Sequence, residues 1–539
     1  MPPLQENAAV ARLLRDARSS VRWSHIAGLG LANFQAVREP VFLPIAPLTF
    51  LYGPNSAGKS CIGDALGLLH AFGTRAPGLP WVSMLERWGN WDRHLANQDG
   101  SDAEKKVALW AIVTAGEHSF GRAYDMLGGS HGAAYYALSD DIGPWAISIE
   151  FDWDPRGPQA SRSPRWCHTK LWLGDESTAP ALVFERFENG ETELRLQTRH
   201  LHYPTIERGF QMADQGELAK SLENAGAGEL RAYPGGYVEH PGDTDIPENF
   251  DDVQEFRATQ YLMSLFRLAT QALGELADVV VTPPTRPVPD RKSTTFAVLP
   301  PFPAAPISRV GAGIGVNASG PWYEIAEDVA RGPDARRGRD CTPFPSLFEY
   351  LNHVLGNESL LGLGFRLSAD VVPFGPRPPD VSSDAGPGYL VHLHLMDEQG
   401  HLVEFQDVGT GVSQLIPVLT ALWAFRPAVI HQPELHLHPA LQSVLGDVLV
   451  ARPDRPPKIL ESHSEHLLLR ILRRIRETTS LGVKAPYPVV PRDVAVLYFD
   501  PLDNGDTRIL SLRIDEAGNF LDRWPRGFFV DRDEDLGLV

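Results

Sequence analysis

The sequence of 539 residues is poor in cysteine and has no excess of positive charge. Its cysteines, Cys61, Cys167 and Cys341, lie far apart and form no CxxC pair, which excludes a disulfide framework and a cysteine zinc site. Lys and Arg number 49 against 68 Asp and Glu, and the net charge of −19 excludes histone-like binding of nucleic acid through bulk charge. Binding through a local basic patch stays open.

Long apolar runs are missing as well. No stretch approaches the roughly 18 consecutive apolar residues of a transmembrane helix. Residues 1–20 carry charges where a signal peptide has an apolar segment. We therefore expect a cytoplasmic protein that is neither exported nor membrane-bound. The hydrophobic content of 43% is that of a folded chain.

Strand and helix patterns alternate along the chain, which predicts an α/β fold. Buried strands are predicted at residues 48–52, 428–430 and 458–461, and helices over 61–72, 346–355, 413–425 and 465–476. Residues 145–196 are β-rich and contain Asn189-Gly190, a strong hairpin signal. A closing hairpin is predicted to pair 495–499 with 508–514.

The clearest motif is a glycine-rich loop between a predicted strand and a predicted helix. It matches G-x-x-x-x-G-K-[ST], the phosphate loop of nucleotide-binding proteins. Glycine lets backbone N–H groups turn toward the β-phosphate, the lysine neutralises phosphate charge, and the last hydroxyl joins Mg²⁺. A chance glycine turn is the alternative, which the strand–loop–helix context disfavours. The predicted ATP and Mg²⁺ site comprises Gly53, Pro54, Asn55, Ser56, Ala57, Gly58, Lys59, Ser60 as the metal ligand, and Cys61.

A second turn of glycines and hydroxyls lies far along the chain and leads from Asp407 into a predicted helix. Free N–H groups at such a helix start suit a phosphate. An ordinary helix start capped by Ser413 or Thr410 is an equal alternative. The candidate nucleotide contacts here are Gly409, Thr410, Gly411, Ser413 and Gln414.

Two polar segments, each following a predicted strand, gather histidines and carboxylates. The first is residues 431–439, HQPELHLHP, and the second is residues 461–464, ESHS. The imidazole of His463 could reach a γ-phosphate or a polarised water. Two alternatives stay open. In the first, zinc is bound by His436, His438, His463 and His466, although their spacing matches no familiar zinc motif. In the second, these histidines only form hydrogen bonds to loops at the strand ends.

The order of these motifs resembles the ABC-type ATPase heads of the OLD, RecF and SMC group. Asn33-Phe34, the phosphate loop, a long intervening stretch and the three later segments follow one another in the family's order. The likeness is greatest to bacterial OLD-like ATPases of the AAA family, whose chains contain VGxGVSQ, QPELHLHP, E[ST]HSEHLLLR and WPxGFF. Residues 21–75 and 389–530 carry these motifs.

The resemblance implies an α/β P-loop head of the ABC type that is discontinuous in sequence. Residues 21–145 form its first half, residues 146–385 a large β-rich and helical insertion, and residues 386–539 its second half. Two such heads would pair as a homo-oligomer, so that the 408–414 turn of one contacts ATP on the other. His463 would be the switch histidine at the γ-phosphate. Arg286 lies in a stretch that resembles the family vaguely, and at most a phosphate contact is expected of it.

The segment that should hold the hydrolytic carboxylates departs from the family. Related heads place one carboxylate for the Mg²⁺ shell and one for the attacking water where His431 and Gln432 stand here. A neutral Gln cannot act as a general base, and imidazole suits Mg²⁺ poorly. Either Glu434 orients the water, or hydrolysis is slow and ATP acts as a clamp, or Gln432 was introduced to trap nucleotide. The catalytic candidates are Glu434, Gln432 and His463.

Three functions stay open. The first is an ATP-gated ATPase that senses or regulates a nuclease or toxin effector in bacterial antiviral defence, which rests on family analogy. The second is a DNA-repair or chromosome-associated ATPase that binds DNA through the arginines of residues 470–476 and 331–339, unless these pair with the protein's own acids. The third is an OLD-type nuclease, for which residues 531–533 offer only an acidic DxD.

Overall fold

The computed structural model describes residues 3–17, 25–74, 106–114, 144–152, 165–174, 180, 182–186, 192–195, 269–270, 272–289, 294–298, 320–332, 344–374, 388–424, 426–451 and 456–525. The predicted α/β class is confirmed. The helices are α1 (Pro3–Asp16), α2 (Cys61–Thr74), α3 (Pro321–Arg331), α4 (Leu347–Gly356), α5 (Thr410–Trp423), α6 (Pro439–Val450) and α7 (Glu465–Leu481). The strands are β1 (His25–Ala32), β2 (Val41–Pro44), β3 (Leu48–Tyr52), β4 (Val107–Thr114), β5 (Trp145–Asp152), β6 (Arg165–Leu173), β7 (Leu182–Arg186), β8 (Thr192–Arg195), β9 (Val280–Thr282), β10 (Thr295–Val298), β11 (Phe365–Phe374), β12 (Gly388–Asp397), β13 (Leu402–Val403), β14 (Ala428–His431), β15 (Lys458–Glu461), β16 (Val494–Pro501) and β17 (Thr507–Leu512).

A six-stranded sheet contains the strand that precedes the phosphate loop. Its order is β17-β16-β3-β15-β14-β9, and all neighbours are parallel except β16 and β17. Strand β3 therefore lies between β15 and β16, with β14 next beyond β15. Because these strands are parallel, their carboxyl ends meet at one edge of the sheet, where ligands of open α/β sheets bind.

Both faces of this central sheet are covered, so all five residues of β3 are buried. Leu51 belongs to a core that includes α2 and the inner residues of β4 and β5. Phe50 faces a second core that includes α4, α5, α6 and α7. Successive β3 side chains point to opposite faces, as strand geometry requires.

A second, seven-stranded sheet is antiparallel, with the order β2-β1-β4-β5-β6-β7-β8. Helix α1 packs on this sheet through a core that includes Leu14 and Trp172. Glu6 of α1 is buried and accepts hydrogen bonds from Trp110 Nε1 at 2.9 Å and Lys170 Nζ at 2.6 Å. The helix is thereby fixed in register on the sheet.

A small third sheet has the order β10-β12-β11, with β13 paired to β12. Each of the three sheets contains strands from both sides of residue 145 or residue 385, where the sequence suggests boundaries between head and insertion. Strand β5 extends the sheet begun by β1 and β4, and β9 pairs with β14 at the edge of the central sheet. The division into three segments stays a prediction about how the chain is organised.

Helices α6 and α7 begin where the two histidine-containing segments leave the central sheet. His438 precedes α6, and its Nδ1 accepts a hydrogen bond from Ala440 N at 3.3 Å. Ser464 precedes α7, and its hydroxyl accepts from Leu467 N at 3.2 Å. These caps hold the polar segments at the carboxyl edge of the sheet. Of the helices in the described ranges, none has the length and apolar character to cross a bilayer.

Candidate nucleotide-binding site

The phosphate loop has the backbone that its glycines predict. The φ angles of Gly53, Ser56 and Gly58 are 137°, 64° and 83°, all in the region that favours glycine. A Cβ atom on Gly53 would lie 2.5 Å from Phe499 O, and one on Gly58 would lie 2.7 Å from Ala36 Cβ. Neither position therefore accommodates a side chain without movement of the loop.

Lys59 points back into its own loop. Its side chain is buried, and its ammonium donates to Gly53 O at 3.0 Å and Pro54 O at 2.9 Å. The third neighbour of the ammonium is Glu461 Oε1 at 3.3 Å. All three donors of the ammonium are thus engaged. The Cys61 side chain lies in the core, and its N–H donates to Gly58 O at 3.0 Å.

Glu461 is a site residue that the sequence reasoning missed. It ends β15, in register with Leu51 of β3 and His431 of β14. One carboxylate oxygen faces Lys59 and the other is hydrogen-bonded to His431 Nδ1. Burial alone would raise the pKa of Glu461, but the hydrogen bond and charge of His431 and the charge of Lys59 hold that pKa below its ordinary value. The signal that could have found it is its position at the end of a predicted buried strand, at the start of the polar segment 461–464.

The loop of residues 431–434 turns sharply after β14. Gln432 has a φ of 45°, and its N–H donates to Glu461 O at 2.7 Å. Glu434 is only 7% exposed and accepts a hydrogen bond from His463 N at 2.8 Å through Oε1. Its Oε2 is buried and has no hydrogen-bond partner among the described residues. A buried carboxylate oxygen that lacks a donor is costly, so this atom is suited to bind a further polar group.

The other histidines of the two polar segments do not converge. The side chains of His436, His438 and His463 are exposed, and His438 acts as the cap of α6. Within the described ranges, no group of three or more His, Cys, Asp or Glu side chains is placed to hold a metal ion. The zinc alternative thus has no geometric support in this part of the chain.

The 408–414 turn starts α5 three residues earlier than predicted. Gly409 is the N-cap, and no side chain caps the helix, so neither Ser413 nor Thr410 has the role that the alternative reading gave it. The Ser413 hydroxyl instead donates to Thr410 O at 3.5 Å. A Cβ atom on Gly411 would lie 2.8 Å from His436 O, which shows how closely this turn approaches the segment that follows β14.

Arg286, for which at most a phosphate contact was expected, lies between the 408–414 turn and the 431–434 loop. It is 2% exposed, and its NH2 donates to His431 O at 2.7 Å and Gln432 O at 2.9 Å. Gln414 forms two hydrogen bonds with the Arg286 backbone, accepting from N at 3.0 Å and donating to O at 2.7 Å. The Gln414 amide therefore faces inward, and its predicted contact with nucleotide stays a prediction.

The arginines of α7, through which DNA binding was considered, form contacts within the protein. Arg470 and Arg474 both bind Asp447 of α6, through hydrogen bonds of 2.6–2.9 Å. Arg473 pairs with Glu477 at 2.7 Å. Arg476 donates to Ala517 O at 2.9 Å. These side chains are used within the protein, as the alternative reading of paired charges had it. Residues 336–339 and 526–539 lie outside the described ranges.

One family model matches the sequence. Residues 489–537 fit the family described as "Protein of unknown function (DUF3696)". This segment contains β16, β17 and the chain that follows them, and it is far less than half of the protein. No curated protein matches the sequence.

Several solved structures with a similar arrangement are heads of SMC proteins. The SMC head bound to the C-terminal winged-helix domain of ScpA has a TM-score of 0.40 and 10% identity, covering 92% of this chain and 99% of that one. The SMC head domain from Thermotoga maritima has a TM-score of 0.35 and 9% identity, covering 91% and 100%. An SMC head with a coiled coil and joint from Pyrococcus yayanosii has a TM-score of 0.36 and 12% identity, covering 92% and 98%. Scores this low carry no conclusion about activity or partners.

Proposed function

We propose that the protein is an ABC-type ATPase that binds ATP with Mg²⁺ at the 53–60 loop and hydrolyses it slowly. One observation carries the proposal. The carboxyl ends of three parallel strands bring Lys59, Glu461 and His431 into one chain of contacts beside the phosphate loop. Cation and carboxylate side by side at such a loop are what phosphate and its metal require.

The loop fits a triphosphate and its metal. The N–H groups of Gly58, Lys59 and Ser60 have no hydrogen-bond partner within the described residues, and an anion would satisfy them. Ser60 is exposed at the start of α2. Ser60 and Glu461 would hold Mg²⁺, which prefers oxygen ligands and neutralises phosphate charge when bound. Lys59 would exchange its loop carbonyls for phosphate oxygens.

Slow hydrolysis follows from the 431–434 loop. Gln432 has no basic group, and His431 is already engaged with Glu461. Glu434 has one oxygen held by His463 N and one without a partner, so the second can accept a proton or a hydrogen bond from water. Its position two residues past Gln432 weakens the expected alignment with the phosphate. We therefore assign water positioning to Glu434, with His463 exposed beside it.

Two copies are proposed to pair with the 408–414 turn of each facing the nucleotide of the other. Support comes from the start of α5, which is exposed at Gly409 and Thr410 and has no side-chain cap. Such a start offers N–H groups to a phosphate of the second copy. ATP would then lie between two copies of the chain and hold them together.

Titration calorimetry and a phosphate-release assay with Mg²⁺ test the ATPase proposal. We expect saturable ATP binding by the folded wild-type protein, and release that is slow but exceeds the no-enzyme rate. A folded wild-type protein that gives no heat with ATP would refute the proposal.

Pairing is tested with Gly409→Asp. Nothing lies within 4 Å of a Cβ atom at this position and its φ is −55°, so the variant should fold as the wild type does. ATP affinity should be unchanged, whereas light scattering should show that ATP no longer produces a dimer, because the added carboxylate repels the second nucleotide. Gly409→Ala, which adds no charge, should weaken pairing less. Wild-type pairing by Gly409→Asp would contradict the proposed interface.

We further propose that the ATP-bound pair regulates an effector protein, a nuclease or toxin, in bacterial antiviral defence. This role is supported by the resemblance of the motifs to OLD-like ATPases, and co-purification of a neighbouring gene product tests it. Binding to DNA, as in chromosome-associated ATPases, is the second candidate. It loses support because Arg470, Arg473 and Arg474 pair with the protein's own carboxylates. Salt-dependent binding of DNA by the isolated protein would restore it.

A further inference from the structure

Arg286 has a set of partners that is unusual for a buried cation. The guanidinium is 2% exposed, yet no carboxylate lies within ion-pair distance among the described residues. Its partners are backbone carbonyls, with NH2 reaching His431 O and Gln432 O, and NH1 reaching Gln414 O at 3.4 Å. A planar fork of donors suits such neighbouring acceptors, whereas an ammonium would reach fewer of them at once.

The carbonyls that Arg286 holds belong to a strained part of the chain. Gln432 is not glycine but has a positive φ of 45°, a conformation that surrounding contacts must maintain. The same loop continues into Glu434, whose Oε2 has no hydrogen-bond partner among the described residues. Arg286 thus fixes the segment that aims the proposed water-positioning carboxylate.

The other end of the contact is as specific. Gln414 lies in the first turns of α5 and is 9% exposed. Its amide pairs with both N and O of Arg286, at 3.0 Å and 2.7 Å, as a neighbouring strand would. A side-chain amide that replaces a backbone partner in this way permits little sliding between α5 and residue 286. Arg286 is thereby bonded both to the 408–414 turn and to the 431–434 loop.

We infer that Arg286 is a positioning residue that ties the 408–414 turn to the 431–434 loop, so that pairing at the turn sets the place of Glu434. The inference rests on the proposed function, because it assigns the turn to the second copy's nucleotide and Glu434 to the water. Burial lowers the pKa of Arg286 to about 10, with the charge of Glu434 acting against that shift, so the guanidinium keeps its proton at neutral pH. The guanidinium therefore remains a charged donor to the carbonyls of His431 and Gln432.

Arg286→Lys tests the tie while keeping the charge. We expect ATP affinity and ATP-driven pairing near those of the wild type, with kcat about tenfold lower, because small misplacement of a reacting group is enough for such a loss. In the wild type the rate per chain should rise as pairs form with increasing protein concentration. In the variant, pairs should form without that rise. A purely structural role would lower pairing and melting temperature together.

Gln414→Ala removes the two hydrogen bonds between α5 and the Arg286 backbone. It provides the test if Arg286→Lys does not fold. It should uncouple pairing from hydrolysis in the same way, and the double variant should be no worse than the worse single variant, because both break one connection. The matched control is Arg426→Lys, at an arginine that pairs with Asp278 on the surface at 3.0 Å. This control should keep both pairing and kcat.

The possible outcomes separate the two proposals. If both variants form pairs that hydrolyse ATP at the wild-type rate, the tie is refuted and the proposed function stands. If the wild type binds no ATP, the proposed function is refuted, and hydrogen exchange then tests the tie alone. Arg286→Lys should speed exchange in peptides from both 410–416 and 431–437. Faster exchange in only one of them, or in neither, would overturn the inference.

Discussion

The two halves of the candidate site are built in different ways. In the 53–60 loop, two of the three partners of the Lys59 ammonium, Gly53 O and Pro54 O, belong to the same loop. The 431–434 loop depends on distant residues, with Arg286 on its carbonyls and Glu461 and His463 on either side. A local motif can be recognised from a short stretch of sequence. A site whose residues come from distant parts of the chain can be recognised only once the order of the strands is known.

The largest effect should come from a change in the 53–60 loop. Lys59→Ala removes the cation that faces the triphosphate, and we expect ATP binding to fall below detection in titration calorimetry. The variant also removes one of the two charged partners of Glu461, so that only His431 remains. Its melting profile without ligand must therefore be measured as a folding control. Retained ATP affinity in a folded Lys59→Ala protein would remove the assignment of the phosphate loop.

The next effect concerns Glu461, which joins the two halves. Glu461→Gln keeps the shape but loses the charge that faces Lys59 at 3.3 Å. We expect the Mg²⁺-dependent part of ATP affinity to disappear and hydrolysis to fall by about 10²-fold, the loss typical of one electrostatic contact in a site. Glu358→Gln, the same change at an exposed glutamate, is the control. Unaltered Mg²⁺ dependence would show that another group takes this role.

The same contrast explains what could be predicted from the sequence. The strand 48–52 and the helix from Cys61 were predicted correctly, because a buried run, a glycine loop and an amphipathic pattern follow one another within a short stretch. The strands β14 and β15 and the final hairpin were found in the same way. The roles of Arg286 and Glu461 could not be predicted, because their partners depend on the order of the strands in the sheet.

Elements that were not predicted lacked a distinctive period. Val107–Thr114 is apolar at seven of eight positions and fully buried, so its pattern does not distinguish a strand from a buried helix. The helix Pro439–Val450 follows the polar segment 431–439. Pro439 was assigned to the end of that segment, although proline is also common as the first residue of a helix. The helix predicted from Ser413 begins at Thr410, with Gly409 as its N-cap, and glycine is a weaker cap signal than a hydroxyl residue.

The next effect concerns Gln432 and Glu434 of the 431–434 loop. Gln432→Glu should raise steady-state hydrolysis, because it supplies a carboxylate that can act as a general base. The backbone at this position is held in place, since the Gln432 N–H donates to Glu461 O at 2.7 Å. Glu434→Gln should lower the remaining rate, within the roughly 10²- to 10⁴-fold that a general base contributes. Phosphate release measures both. If neither change moves the rate, Glu434 and Gln432 are not at the hydrolytic centre, and His463 becomes the first residue to test.

The smallest effect should be on stability. It concerns the contact between α6 and α7, the two helices that follow the polar segments of the site. Asp447 of α6 is 2% exposed and binds both Arg470 and Arg474 of α7. Asp447→Asn leaves Arg470 without its carboxylate and Arg474 with Glu477 alone. We expect a loss of about 2 to 4 kcal/mol in the free energy of unfolding, less than for a fully buried pair because Arg470 is partly exposed. Urea denaturation measures it.

The pH dependence identifies the carboxylate as the cause. Burial alone would raise the pKa of Asp447, but the hydrogen bonds and charges of Arg470 and Arg474 outweigh it and hold that pKa below its ordinary value. A lowered pKa in the folded state gives stability that is present above the ordinary aspartate range, about 3.9, and is lost as the pH falls through the folded value. The gap between wild type and Asp447→Asn should therefore be constant from neutral pH to about 5 and narrow below 4. Asp522→Asn, in the more exposed pair with Arg513, is the matched control and should cost about 1 kcal/mol or less. Equal losses for the two substitutions would mean that burial of Asp447 does not make its ion pairs stronger than an exposed pair.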